Sequence, residues 1–208
     1  MKKNKIVLFA FIVLLIISAV SIGMNIQNAK RQDMIMRIMI NRAYSELRTI
    51  SLGLDGGLYY HHNPSSDPAY EIDRYSLNNL SRNFIKLDTV LKQYATCFPP
   101  KGIVRNVYAN IFDFDFIATT LTFGTGVAND MLYNGILVDD VISETEIRYL
   151  EILRDDISLI VSAMESPDNP PNENQNLTVS QMDNILKTFF DKWSFHNEES
   201  PYFLLRAE

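Results

Sequence analysis

The stretch FDFDFIATTLTFGTG, Phe112 to Gly126, admits two periods. Phe112, Phe114 and Phe116 alternate with Asp113 and Asp115, as side chains do along a half-buried strand. Yet Val104, Val107, Ile111, Phe114, Ala118 and Leu121 keep a three–four spacing straight through the same residues, which is the repeat of a helix face. A strand needs a partner, and no second segment reads convincingly as one; ILVDDVI and YFLLR are short and ambiguous. The run is therefore read as a central helix. Phe112, Phe116 and Phe123 fall on neighbouring faces and make it apolar nearly all round. Its threonines, with Gly124 and Gly126, weaken it toward the end, where a break or kink is expected.

Helical stripes lie on both sides. Before the run, Asp73 is placed to cap a helix whose stripe is Leu77, Leu80, Phe84, Leu87, Leu91 and Tyr94, ended by Pro99-Pro100. After it, Ser143 and Glu146 form a capping box in front of Ile147, Leu150, Leu153, Ile157, Ile160 and Met164. Thr178 and Gln181 repeat that logic before Met182, Ile185, Leu186, Phe189 and Trp193. Residues 166–176, SPDNPPNENQN, read as a solvated loop with nothing to bury. The tail, 194–208, could pack on the bundle as an extended piece.

The N-terminus carries the strongest signal. A basic head, residues 1–5, precedes IVLFAFIVLLIISAVSIG, an uncharged run of 18 residues from Ile6 to Gly23. That is about the minimum for crossing a hydrocarbon core of roughly 30 Å as a helix. Residues 6–24 are assigned as a single-pass anchor in contact with membrane lipid. The competing reading is a cleaved signal peptide, since Ala19 and Ser21 supply small residues for a peptidase. The anchor is preferred because the apolar run continues past Ser21, and the chain through Leu47 contains no further Pro or Gly after Gly23. A short basic head before an apolar run is the form of an N-inside anchor, which places the bulk of the chain outside the cytoplasm, although Lys30, Arg31, Arg37 and Arg42 follow the span closely.

Residues 25–54 continue as an amphipathic helix with a coiled-coil-like seam of Met36, Ile40, Ala43, Leu47, Ile50 and Leu54. The helix is expected to stop at Leu54-Asp-Gly-Gly, where glycine readily takes a positive φ. Residues 55–72 then form a polar loop. The expected architecture is all-α: one transmembrane helix, then an up-and-down bundle of about four to five helices within residues 55–193 and the segment before it.

Composition narrows the function. The 208 residues are 47% hydrophobic and 21% charged, with a net charge of −6. Setting aside Lys2, Lys3 and Lys5 leaves 16 basic against 25 acidic residues, a net charge of −9. That balance repels phosphate backbones, and no basic stripe interleaved with aromatics offsets it, so nucleic acid is excluded as a partner. Anionic lipid is equally unattractive, the short basic segments beside the apolar run excepted. Cys97 is the only cysteine, which rules out an internal disulfide; it reads as a small apolar residue near a helix end.

Candidate chemistry is sparse. Asp113 and Asp115 interrupt an apolar stretch and are the candidate ligand-binding groups; on a helix they stand about 200° apart and form no carboxylate pair. His61 and His62 lie near Asp55, Asp67 and Glu71, but the spacing fits no zinc motif, and neither metal nor cofactor is assigned. FGTGVAND lacks the lysine of a phosphate loop, and no nucleophile elbow is present. Ile35, Ile38 and Met39 are candidate partner-binding residues, because apolar positions 35, 36, 38, 39 and 40 wrap most of the helix circumference. Tyr59 and Tyr60 could form a recognition rim. Two function classes follow. One is a non-catalytic interaction or sensing module at the outer membrane surface, acting through a protein partner or as a homodimer. The alternative is a secreted or membrane-tethered enzyme or effector with a site assembled around Asp113 and Asp115. The lack of a credible catalytic set favours the first.

Overall fold

A computed structural model describes residues 2–63, 72–97, 114–122, 126–128, 131–133, 135–136, 142–193, 197 and 199–205, with side chains from residue 13 onward outside the two strands. The elements in chain order are α1 (Lys2–His62), α2 (Arg74–Cys97), α3 (Phe114–Thr120), β1 (Gly126–Ala128), β2 (Met131–Tyr133), α4 (Glu144–Met164), α5 (Val179–Lys192) and a 3₁₀ helix (Pro201–Leu205). The protein is all-α, and the one ribbon among its described residues consists of two three-residue strands. The chain divides into two compact units, Met1–Ile38 and Met39–Glu208.

The first unit is the N-terminal part of α1. Its described side chains from Val13 to Met34 are exposed. By length and composition, α1 holds a window apolar enough to cross a membrane.

The second unit is a helical bundle whose core follows the stripes. Ile40, Ala43, Leu47, Ile50 and Leu54 of α1 are buried, as are Leu77, Leu80, Phe84, Leu87, Leu91 and Tyr94 of α2. Each fully buried leucine contributes roughly 1.5–3 kcal/mol. Phe114 sits at the centre, with ring centroids 5.8 Å from Phe84 and 5.1 Å from Phe189. Phe189 stacks on Trp193 at 5.5 Å, and Trp193 meets Tyr202 edge-on at 5.3 Å.

In the aromatic run, the helical period wins from Phe114 onward. Phe114, Ile117, Ala118 and Leu121 are buried while Asp115 is exposed. The Val104–Ile111 part of that stripe, with Phe112 and Asp113, lies outside the described residues. Near the end of α3, Thr119 and Thr120 donate their hydroxyls to the carbonyls four residues back. Such bonds bend or weaken a helix. The ribbon that follows pairs Gly126 with Tyr133, Val127 with Leu132 and Ala128 with Met131.

All three expected caps are present. Ser143 and Thr178 complete their capping boxes with Glu146 and Gln181. The carboxylate of Asp73 accepts from the Ser76 amide at 2.7 Å.

Three expectations need correction. First, α1 does not stop at Leu54 but runs two further turns to His62. Each glycine costs roughly 1 kcal/mol in a helix, but Leu58, one turn past Leu54, is fully buried and offsets that cost. The helix end is instead closed at Asn63, whose amide donates to the Tyr60 carbonyl and whose side chain donates to that of Tyr59. The expected loop 55–72 therefore starts eight residues late. Second, the connector at 166–176 is mostly exposed yet pinned to α1. Tyr44 donates its hydroxyl to the carbonyl of Pro171 and lies 3.3 Å from Glu165 Oε1; Asn41 donates to Glu173 at 2.5 Å. Third, the tail is not extended at Pro201–Leu205, where it makes a 3₁₀ helix that buries Tyr202 and Leu205.

Candidate functional site

The described candidate residues of the second unit lie on two elements, Asp115 on α3 and Met39, Tyr59 and Tyr60 on α1. Asp115 is exposed on the first turn of α3, and its backbone carbonyl is engaged by Thr119. Asp113 lies outside the described residues. Met39 and Tyr59 share α1 but are separated by about 30 Å of helix. His61 and His62 belong to the last turn of α1 and not to a loop, with ring centroids 5.4 Å apart. His62 lies 3.3 Å from a Glu151 carboxylate oxygen on α4. No group of three or more His, Cys, Asp or Glu side chains suited to a metal occurs among the described residues. Cys97 ends α2 and is exposed.

The concavities lined by described residues include two in the bundle. One, of about 240 Å³, lies along α1 and α2 over Leu54, Leu58, Leu77 and Leu80, with Asn79 and Asn83 among its polar groups. Gly53 in its wall leaves room for α2, since a Cβ there would lie 2.8 Å from Leu80 Cδ2. The other is an open groove of about 520 Å³ between α4 and α5, lined mainly by apolar atoms of Leu159, Ile160, Ala163, Ile185 and Phe189. Its charged groups are Asp156 and Lys192, which already bind each other at 2.7 Å. The two charges neutralise each other, so the groove offers a substrate no uncompensated charge.

Comparison with known proteins yields no match. No family model fits the chain, no curated protein is similar to it in sequence, and no solved structure matches its fold.

The buried polar groups act as pins. Asp156 accepts from Lys192 Nζ and, at 2.8 Å, from the indole of Trp193. Ser81 donates to the Ala118 carbonyl at 2.8 Å, tying α2 to α3. Tyr94 lies within hydrogen-bond distance of both the Val179 carbonyl and Asp183. Burial pushes the Tyr94 hydroxyl pKa well above its usual value, with the charge of Asp183 adding to the rise. Burial alone does so for Tyr149. A hydroxyl held neutral in this way is a poor base and a poor nucleophile. Sequence reasoning missed the Asp156 pin. Its signal is an acid on the buried side of a stripe, between Leu153 and Ile157.

What remains is surface. Met34 is 62% exposed and Ile38 48% exposed, and Ile35 and Met39 are half-buried. Further along α1, Leu52 and Tyr59 are also exposed, and Tyr60 is half-buried.

Proposed function

We propose that this protein is a membrane-anchored helical module that acts by contact with a protein partner, or with a second copy of itself, on the extracytoplasmic side. Residues 6–24 hold it in the bilayer. The observation that carries the reading is the apolar surface left open at Met34 and Ile38, with the half-buried Ile35 beside them, a few turns beyond the span. Exposed apolar surface beside a bilayer is normally covered by another helix, and tethering to a plane raises the effective concentration so that weak contacts suffice.

Crosslinking of the full-length protein in its membrane tests this. The wild type gives a homodimer or a partner adduct, and Ile35→Glu combined with Ile38→Glu abolishes it without changing helix content. A wild type that forms no adduct sinks the reading. Loss of helix in the double variant would assign those positions to an intramolecular core instead.

A further inference from the structure

The charge of this chain changes sign along its length. Lys2, Lys3 and Lys5 give +3 at the head. Between residues 30 and 48, five basic residues stand against Asp33 and Glu46, again a net +3. Residues 49–208 hold 11 basic and 23 acidic side chains, a net −12. Separating the two basic clusters, residues 6–29 carry no ionisable side chain and lie within α1. As a helix, that window is about 36 Å long. A hydrocarbon core of roughly 30 Å centred on it leaves Lys5 and Lys30 just outside, at head-group depth.

Lys30 and Arg31 are both exposed, point about 100° apart around the helix, and are not held in an ion pair with a described residue. Arg37, two turns on, is partly neutralised by Asp33 at 3.0 Å. Resting on the reading of residues 6–24 as a span, we propose that Lys30 and Arg31 bind the phosphates of anionic phospholipids in the leaflet facing the acidic unit. Arg offers a planar fork for phosphate oxygens and Lys a compact charge on a long stem. The ligand is lipid and not a free anion. The two side chains lie in mid-helix, where no backbone amide is free to form a cradle, and in bulk water a two-cation site is strongly screened. A bilayer supplies phosphates at fixed depth and high density. The net −12 beyond repels anionic lipid, which confines its enrichment to this collar.

The test uses full-length protein in vesicles of phosphatidylcholine and phosphatidylglycerol. The protein is extracted in mild non-ionic detergent, and the retained lipids are quantified by mass spectrometry. The wild type retains phosphatidylglycerol several-fold over its bulk share, up to about fivefold for each basic side chain near the surface. Lys30→Gln with Arg31→Gln lowers the ratio severalfold, to what the head lysines alone retain, whereas Arg82→Gln with Lys86→Gln, an equal charge change on exposed positions of α2, keeps the enrichment. Enrichment that the first variant leaves unchanged overturns the proposal, and so does its displacement by free glycerol phosphate. A protein that inserts but shows no enrichment sinks the lipid site alone, whereas failure to insert sinks the anchor reading itself.

Discussion

Asp156 lies on the buried side of α4, yet each of its carboxylate oxygens has a partner. Removing it strands the Trp193 indole N–H inside the aromatic cluster and leaves Lys192 alone. Breaking such a partnership costs more than its formation contributes, because the indole N–H stays desolvated, whereas the half-exposed Lys192 regains water. We predict that Asp156→Ala destabilises the fold by about 1–3 kcal/mol. Asp156→Asn should lose about half as much, since an amide oxygen still accepts from the indole. Trp193 is the only tryptophan, so its fluorescence during urea unfolding reads both the cluster and the stability. Tyr149 is the opposite case. It is completely buried, and its hydroxyl has no hydrogen-bond partner among the described residues. Tyr149→Phe should therefore be neutral or stabilising by about 1 kcal/mol. Its folded-state pKa lies above the unfolded value of 10.0, so the folded state keeps a proton that the unfolded chain gives up. The stabilisation it protects is complete below pH 10 and falls as pH rises toward the folded pKa, by up to about 1.4 kcal/mol per pH unit. Tyr149→Phe should flatten that alkaline loss; an unchanged slope between pH 10 and 12 would assign it to other groups.

Among the elements, legibility tracked how local each signal is. The capping boxes at Ser143 and Thr178 are reciprocal bonds within four residues, so the spacing alone locates them. The stripes of α2, α4 and α5 are equally local and predicted the core closely. The end of α1 was not legible, because it is decided by Leu58 packing into the bundle against the propensity of Gly56 and Gly57. The ribbon was missed because GVA and MLY are each three residues long, too short for a period to show. The connector over Tyr44 depends on partners more than 120 residues away. The site is less legible than the fold: Asp115 is exposed on α3, and Asp156, a buried acid on an apolar stripe, carries no local motif that marks its partners. Gly53 gives an element-scale prediction. An alanine there gains helix propensity but places its Cβ against the flexible tip of Leu80, so the two effects should nearly cancel. Gly53→Val adds β-branched bulk to the same contact and should cost about 1–3 kcal/mol. If valine is tolerated, α2 is not held by close approach at this point.

For the whole molecule, the decisive question is whether the chain keeps its N-terminal helix and on which side the acidic unit lies. The apolar window does not end at the Ala19–Ser21 small-residue pair; it continues without charge to Ala29, and α1 stays helical throughout. A peptidase needs an extended substrate, so a helix running through the cleavage position disfavours processing. Orientation is a closer contest, because three lysines before the window face Lys30, Arg31, Arg37 and Arg42 soon after it. The acidic bulk contributes little to that contest, since Asp and Glu hardly affect orientation and long domains translocate regardless of charge. The short basic head then favours its own retention inside. Intact-mass measurement on membrane fractions should find a chain that retains Ile6–Gly23, and protease added outside intact cells should digest the unit beginning at Met39. A chain starting at Ile22 and released to the medium would make the segment a signal peptide. Full protection until lysis would mean that Lys30, Arg31, Arg37 and Arg42 had set the orientation instead.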